Sequence, residues 1–274
     1  MPAVDSHAHA FDLTRQGWGG DRGFDIQPNE LGTARQFLHM LSCQGFTHGV
    51  LINPLGGYGA NNTYMLEAIA EAGGRLKGVA LLPDATPEAE IRRMVEGGIV
   101  GIRFNLDSPT SPPLLGPTGE RALARAREVS WFAQIHYHHS ESIIAALPVL
   151  RGAGLPVIID HSGRPELEGG LGQEGFQALL ELGRSTDAVI KLSGVFRFSR
   201  TGSPYADTDP YIAALIEAFG IDRCIWGSDW PFLRARERVD FGPLLAALHR
   251  VVPDAADREK VLWTTPARLF RMSA

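Results

Sequence analysis

Two histidines near the start of the sequence, His7 and His9, have a spacing that suits joint chemistry. They end the stretch Val4-Asp5-Ser6-His7-Ala8-His9. Side chains two residues apart on an extended strand point the same way, so both imidazoles would face a common centre. Because histidine pairs also occur by chance, the pair alone is equally compatible with two surface residues.

Polar residues also follow two later apolar runs. Asp160 and His161 come directly after Val157-Ile158-Ile159, and Asp229 follows Cys224-Ile225-Trp226-Gly227-Ser228. If these runs are barrel strands, the polar residues lie at their carboxyl ends, where barrel enzymes place catalytic groups. Asp229 on its own could be a loop cap. Together the motifs predict one site formed by four side chains: His7, His9, His161 and Asp229.

Eight short apolar runs predict the strands that position these side chains. Each run is too short for a core helix and is rich in Val, Ile or aromatic residues. Several are unbroken apolar stretches, which are typical of parallel strands buried on both faces. The predicted strands are Ala3–His7, His48–Asn53, Gly78–Leu82, Val100–Asn105, Trp131–His136, Val157–His161, Val189–Ser193 and Cys224–Ser228.

Amphipathic segments between these runs predict helices at residues 62–71, 87–95, 173–182 and 211–219. Thr86 is the expected capping residue of the second, and Gly220 is the expected stop of the last. Eight strands alternating with helices indicate a closed barrel or a large doubly wound sheet. A doubly wound sheet should carry a glycine-rich first turn, whereas the first strand here ends in histidines. We therefore predict an α/β protein, a distorted (β/α)8 barrel forming one domain over residues 1–274.

The composition is that of an ordinary globular protein, with 44% hydrophobic and 21% charged residues and a formal net charge of −5. The densest basic cluster, Arg121, Arg125 and Arg127, is flanked by glutamates, which favours a solvated helix face over a nucleic-acid surface. No apolar run approaches the roughly 18 residues that a membrane span needs, and no signal-like segment precedes the first motif. We expect no nucleic-acid or membrane partner, and a cytoplasmic location.

Two further features concern cysteines and loops. Cys43 and Cys224 lie far apart without metal-site spacing, so we expect two buried thiols rather than a disulfide. Irregular loops are expected at residues 17–23 and 108–117, where loops after barrel strands shape the pocket. The sequence is also compatible with a homo-oligomer.

Three motifs together resemble the amidohydrolase superfamily, and more narrowly its 2-pyrone-4,6-dicarboxylate lactonase-like branch. They are Asp5-Ser6-His7-Ala8-His9, Ile159-Asp160-His161-Ser162-Gly163-Arg164-Pro165 and Trp226-Gly227-Ser228-Asp229-Trp230-Pro231. The first motif is shared by many amidohydrolases, whereas the second is specific to the branch. The resemblance extends from Val4 to Phe270.

The resemblance implies a lactonase that acts on a small carboxylated lactone, in the breakdown of aromatic compounds. By this likeness Asp229 activates water and passes its proton to the leaving oxygen, while His7, His9 and His161 polarise the carbonyl. The branch uses arginines at three matching positions to hold substrate carboxylates, which a planar guanidinium fits bidentately. These are Arg103, Arg164 and Arg197, with His136 as a further candidate ligand. His138 and His139 are expected to be exposed loop residues.

A metal site is a second interpretation of the same four side chains. His7, His9, His161 and Asp229 could ligate one divalent ion and leave room for water, and zinc is the ion that we expect there. Because Arg103 stands at the end of strand four, no lysine or glutamate is placed there to bridge two metals. The branch that the sequence resembles includes members that work without metal, so we expect either no cofactor or one weakly held ion.

The sequence departs from the lactonase pattern in three places, one of which is that Trp230-Pro231 leads on to Phe232 and Leu233. Residues 106–115 contain no basic residue where the family has a second arginine, and Gly17-Trp18-Gly19-Gly20 replaces a tyrosine-rich loop. A monocarboxylate or sugar-acid lactone is therefore an alternative substrate. Three other functions also stay open: a metal-dependent decarboxylase or hydratase, a lactone isomerase, and a non-catalytic binding protein, the last disfavoured by the intact histidines and aspartate.

Overall fold

The computed structural model describes residues 2–15, 18–19 and 25–273. Within this part of the chain, eight parallel strands form one sheet in sequence order. The strands are β1 (Val4–Ala8), β2 (His48–Ile52), β3 (Leu76–Ala80), β4 (Ile99–Asn105), β5 (Phe132–His136), β6 (Val157–Ile159), β7 (Val189–Lys191) and β8 (Cys224–Ile225). The predicted α/β class and (β/α)8 barrel are confirmed.

Backbone hydrogen bonds between the first and last strands close the barrel. Ser6 N donates to Trp226 O at 2.9 Å, Asp229 N to His7 O at 2.8 Å, and His9 N to Trp230 O at 2.7 Å. Regular strand β8 is shorter than predicted, because the chain beyond Ile225 is irregular and Asp229 has a left-handed φ of 64°. This seam is the expected distortion, and it brings the first motif against the last.

Helices cover the outside of the sheet. They are α1 (Ala34–Cys43), α2 (Thr63–Glu71), α3 (Glu88–Glu96), α4 (Pro117–Glu128), α5 (Ser140–Arg151), α6 (Glu174–Ser185), α7 (Val195–Phe198), α8 (Asp209–Phe219), α9 (Phe241–Val251), α10 (Ala255–Glu259) and α11 (Thr265–Phe270). Gly220 ends α8 with a φ of 75°, as predicted. The prediction that Thr86 caps α3 was wrong. Pro87 is the N-cap of this helix, and the Thr86 hydroxyl donates to Pro83 O at 2.6 Å.

Two layers of apolar side chains form the core. One lies between the sheet and its helices, and the other contains side chains from all eight strands together with Phe270 of α11. The Phe270 ring is fully buried and lies 5.6 Å from the ring of Phe132. Trp263, Leu269 and Met272 pack on the same cluster. The C-terminal segment therefore covers the apolar interior of the barrel.

Three smaller expectations have mixed outcomes. Cys224 is buried as expected, but Cys43 is exposed because it lies at the outer end of α1. Of the first predicted loop, residues 17 and 20–23 lie outside the described residues, whereas residues 108–117 do form an irregular connection before α4. Among the described residues, no helix is long and apolar enough to cross a membrane.

Candidate active site

The structure brings the four candidate catalytic side chains together at one end of the barrel. Asp229 Oδ1 lies 3.8 Å from His7 Nε2 and 3.6 Å from His9 Nε2, and its Oδ2 lies 3.8 Å from His161 Nε2. All four residues are buried. The carboxylate thus stands among three imidazoles: His7 lies on β1, His9 directly follows β1, and His161 follows β6.

Asp229 is held by its backbone as well as by its neighbours. Its N–H donates to His7 O at 2.8 Å, and Arg197 Nε donates to its Oδ2. Oδ1 has no hydrogen-bond partner within the described residues, so one oxygen is available to a bound molecule. Burial raises the pKa of Asp229, although Arg197 opposes the shift. A carboxylate with a raised pKa is a stronger base than a solvated one.

The backbone partner of His9 fixes which nitrogen carries its proton. His9 Nδ1 lies 2.8 Å from Ile52 O, and a carbonyl oxygen can only accept. Nδ1 therefore bears the hydrogen, and Nε2 presents a lone pair toward Asp229. Burial lowers the pKa of His9 to about 3, so the ring is neutral near pH 7.

A buried polar cluster lies next to His7. Lys191 Nζ lies 3.3 Å from His7 Nδ1, 3.2 Å from Asp160 Oδ1 and 2.7 Å from Gln134 Oε1. Gln134 Nε2 donates to Asp160 Oδ2 at 2.8 Å. Burial alone would raise the pKa of Asp160, but the Lys191 charge and other nearby positive groups bring it to about 2. Asp160 is thus a carboxylate paired with an ammonium.

A tight turn after β6 places His161. His161 and Arg164 both have left-handed backbone angles, with φ of 50° and 46°. His161 Nδ1 lies 3.2 Å from Ser193 Oγ, and its ring centroid lies 4.4 Å from that of His7. Gly194 gives this ring its space, since a Cβ there would lie 2.9 Å from His161 Nδ1. The glycine after β7 is therefore part of the site.

The four side chains adjoin an open cleft of about 810 Å³ with a strongly basic lining. His9 and His161 form part of its wall, and four arginines line it: Arg103, Arg164, Arg197 and Arg234. Asp107 is an acidic residue in the same lining. An excess of guanidinium groups in a concave site favours anionic ligands.

The three predicted arginines differ in how they are held. Arg103 is buried and donates from Nη1 to Asn53 O at 2.9 Å. Arg197 donates to Asp229 and, through Nη1, to Leu233 O at 3.1 Å. Arg164 Nη1 lies 3.5 Å from His138 Nε2, and burial with the charge of Arg197 lowers its pKa to about 10. Arg164 therefore has the fewest protein anchors of the three.

His136 and His138 both line the cleft. His136 is buried, and its Nδ1 has no hydrogen-bond partner in the part of the chain that is described. The expectation for His138 was wrong: Asp107 accepts hydrogen bonds from the backbone N–H groups of His138 and His139, and this turns the His138 ring inward. His139 is exposed, as expected.

Sequence reasoning missed several residues of the site. Arg234 lines the cleft from the loop after β8, and Asn53 O anchors Arg103. Gln134 and Lys191 gave a detectable signal, because polar residues inside apolar strands are costly unless they are paired. Arg234 gave none, since its position depends on how the loop turns.

The donor atoms form two groups that could hold a metal ion. His7, His9 and Asp229 form one, and His7, Asp160 and His161 form the other. The four predicted ligands are thus distributed over two groups, and Asp160 is an additional candidate ligand. In the first group, Asp229 Oδ1 and His7 Nε2 have no other hydrogen-bond partner among the described residues. In the second group the Lys191 ammonium already lies against His7 and Asp160.

Comparison with known proteins identifies the family. The Amidohydro_2 family, described as Amidohydrolase, matches residues 4–272. The chain belongs to the amidohydrolase family. This amidohydrolase is 31% identical to a 4-sulfomuconolactone hydrolase of Rhizobium radiobacter over 98% of its own length and 89% of the relative's.

Two other comparisons give the range of relatives of this amidohydrolase. A D-galactarolactone isomerase of Agrobacterium fabrum is 26% identical over 99% of the chain and 91% of the relative. A crystal structure of a probable 2-pyrone-4,6-dicarboxylic acid hydrolase from Acinetobacter baumannii, with citric acid bound, superposes with a TM-score of 0.87. It is 29% identical, and the match covers 99% of this chain and 100% of that one. The resemblance to lactonase-like amidohydrolases is confirmed.

Proposed function

We propose that this amidohydrolase is a hydrolase that opens a small carboxylate-bearing lactone. The observation that carries the proposal is the placement of Asp229. Its buried carboxylate stands within 3.8 Å of three imidazoles and beside a cleft lined with arginines. A base next to hydrogen-bond donors and an anion-binding wall is what hydrolysis of an acidic lactone requires.

In this proposal Asp229 and His9 hold the attacking water. Asp229 Oδ1 and His9 Nε2 lie 3.6 Å apart and can both accept, so one water can donate a hydrogen to each. Asp229 takes the proton as the water oxygen bonds to the lactone carbonyl carbon. When the ring C–O bond breaks, Asp229 returns this proton to the leaving oxygen. The products are the new carboxylic acid and a hydroxyl on the same molecule. His9 therefore orients the water instead of polarising the carbonyl.

His7 and His161 are the residues that would polarise the carbonyl. Both rings are neutral, because burial lowers their pKa values well below the usual range. A neutral imidazole with its hydrogen on Nε2 can donate to the oxygen on which negative charge develops. Donors already in place for that charge each contribute roughly 10²–10³ in rate.

The basic wall of the cleft selects the acidic substrate. Arg164 is the leading carboxylate ligand, with His136 and Arg103 deeper in the cleft. Arg197 lines the same wall while it also holds Asp229. Arg234 adds positive charge to the cleft, whereas residues 106–115, which follow β4, contain no basic residue. The citric acid bound in the Acinetobacter relative is a polycarboxylate, which supports this assignment. A role in the breakdown of aromatic acids and a cytoplasmic location are part of the same proposal.

If a divalent ion binds in this site, the first of the two donor groups is its expected place. His7, His9 and Asp229 would hold it, and His161 lies next to them. Zinc bound there would polarise the carbonyl and lower the pKa of a bound water to about 7. The steps above need only the chain's own groups, so we propose that a metal is not required.

Lactone isomerisation is the second candidate, and the galactarolactone isomerase relative favours it. In that reaction a substrate hydroxyl, rather than water, would lose its proton to Asp229 and attack the carbonyl. The same residues serve both reactions. Decarboxylation or hydration would depend on a firmly held metal, and the Lys191 ammonium beside His7 makes such binding less favourable.

A substrate screen tests the proposal. Aromatic-derived lactone dicarboxylates, sugar-acid lactones and uncharged lactones are incubated with chelator-treated enzyme, and proton release is recorded. We expect turnover of acidic lactones only. Asp229→Asn should lower kcat by roughly 10²–10⁴, the usual contribution of a general base. Unchanged turnover in this variant, or preference for uncharged lactones, would contradict the proposal.

A further inference from the structure

Lys191 is a buried cation whose surroundings are complete without any ligand. It lies at the end of β7, with no exposed surface. Its three nearest polar atoms are Gln134 Oε1, Asp160 Oδ1 and His7 Nδ1, at 2.7, 3.2 and 3.3 Å. An ammonium group has three hydrogens to donate and no lone pair. Gln134 Oε1 and His7 Nδ1 are placed to accept two of them, and the Asp160 carboxylate forms an ion pair with Nζ.

The orientation of the neighbouring amide follows from this. Because Lys191 can only donate, the oxygen of Gln134 faces Nζ, and its Nε2 donates to Asp160 Oδ2 at 2.8 Å. The third ammonium hydrogen then points toward His7 Nδ1. That nitrogen accepts only if it carries no hydrogen, so the proton of the neutral ring is on Nε2.

The opposite tautomer, with the hydrogen on His7 Nδ1, would place two hydrogen-bond donors against each other. His7 Nδ1 is also 3.3 Å from Asp160 Oδ1, so it could in principle donate to this carboxylate. An N–H in that position would face the Lys191 ammonium at 3.3 Å. It would also leave one ammonium hydrogen without an acceptor in a buried site, which is unfavourable.

We propose that Lys191 is a positioning residue that fixes His7 as the Nε2–H tautomer, and that it thereby weakens divalent-metal binding by His7, His9 and Asp229. A metal ligand must offer a lone pair, which His7 Nε2 lacks in this tautomer. His9 has the reverse arrangement, because Ile52 O fixes its hydrogen on Nδ1. The use of His7 Nε2–H on a lactone carbonyl rests on the proposed function, whereas the tautomer and the metal affinity do not.

Histidine nitrogen NMR on the metal-free wild-type protein tests the tautomer directly. With ¹⁵N-labelled histidine at pH 7, the pattern of N–H couplings shows which ring nitrogen bears hydrogen. The His7 signals are assigned by their loss in His7→Gln. We expect hydrogen on Nε2 of His7 and on Nδ1 of His9, so His9 is the internal control. Hydrogen on Nδ1 of His7 would overturn the proposal.

Zinc titration of Lys191→Met tests the consequence for metal. Without the ammonium, His7 Nδ1 can donate to Asp160, which leaves a lone pair on Nε2. A hydrogen-bond partner of a metal-ligating histidine changes affinity by roughly 10–100-fold, so we expect tighter zinc binding of that size in calorimetry. Lys77→Met, a half-buried lysine on β3 outside this cluster, should bind zinc like the wild type. Equal affinity in wild type and Lys191→Met would contradict the proposal.

Two features keep the test decisive. Lys191→Met leaves the Asp160 carboxylate buried without its partner, so thermal unfolding is measured alongside. If this variant does not fold, the NMR result on the wild type still decides the proposal. On metal-free protein, Lys191→Met should lower kcat for an acidic lactone and leave KM nearly unchanged. Because the NMR and zinc measurements use no substrate, failure of the lactonase proposal would leave their outcome intact.

Discussion

Single contacts give chemically identical side chains different tasks in this site. His7 and His9 are both buried and neutral, yet Lys191 contacts Nδ1 of the first and Ile52 O contacts Nδ1 of the second. Lys191 donates a hydrogen to His7 Nδ1, whereas Ile52 O accepts one from His9 Nδ1. His7 Nε2 therefore carries a hydrogen, and His9 Nε2 carries a lone pair. One can stabilise negative charge, and the other can hold a water.

The protonation of Asp229 predicts the acid limb of the pH profile. Burial raises its pKa above the usual 3.8, and only the carboxylate form can accept a proton from water. Activity should therefore fall as the pH drops through the raised value, so kcat/KM should lose half its maximum at a pH clearly above 3.8. Rates in overlapping buffers, at a pH range over which circular dichroism is constant, check this. A rate that stays level down to pH 4 would show that Asp229 is not the base.

Arg164 should determine affinity more than rate. It lines the cleft, and its contact to His138 is long, at 3.5 Å. A hydrogen bond to a charged group contributes about 1.5–3 kcal/mol, so Arg164→Met should raise KM for an acidic lactone by roughly 10–100-fold. The exposed Arg121, paired with Asp84 on the outside, supplies the control Arg121→Met. An equal change in both variants would remove Arg164 from substrate binding.

At the scale of elements, the seam between β1 and β8 sets the geometry of the centre. Asp5 Oδ1 accepts from Ser228 N at 2.8 Å and from His7 N at 3.2 Å, so one buried carboxyl ties the His7 strand to the Asp229 strand. Gly227 permits the close approach, since a Cβ there would lie 2.6 Å from His7 N. Burial raises the pKa of Asp5 to about 7.

This carboxyl predicts how stability depends on pH. The pKa of Asp5 in the folded state exceeds the unfolded value of 3.8. The contribution of this carboxyl to the free energy of unfolding is therefore present at low pH and is lost as the pH rises through about 7. Asp5→Asn keeps the acceptor oxygen and does not titrate. Between pH 5 and pH 8, the wild type should lose about 2–3 kcal/mol of unfolding free energy relative to this variant, at 1.36 kcal/mol per pKa unit. Urea unfolding of both proteins measures this, and a constant difference would contradict it.

The sequence sufficed for the barrel and for the rim residues because both depend on local patterns. Apolar runs that end in His161 or Asp229 follow from strand periodicity and the position of polar residues. The pairing of Lys191 with His7, 184 residues apart along the chain, depends on closure of the barrel and is not a local property. The inward turn of His138 likewise depends on Asp107, a residue on the preceding loop.

At the scale of the whole molecule, a protein with a net charge of −5 concentrates arginines in one cleft. Phe270 and its neighbours pack on the apolar layer inside the barrel, whereas the polar centre adjoins the cleft. The separation of these layers lets the chain keep an apolar core and still bury several charged groups. An overall acidic surface with a local basic cleft should favour small anions over polyanions such as nucleic acids.

Hydrolysis in oxygen-18 water is the most direct test of the central claim. The best lactone from the screen is turned over by metal-free enzyme in labelled water, and the product is analysed by mass spectrometry. If water is the nucleophile that Asp229 activates, each product molecule gains one labelled oxygen, located in the new carboxylate. A rearranged lactone without label, or release of carbon dioxide, would instead show that this amidohydrolase is not a lactone hydrolase.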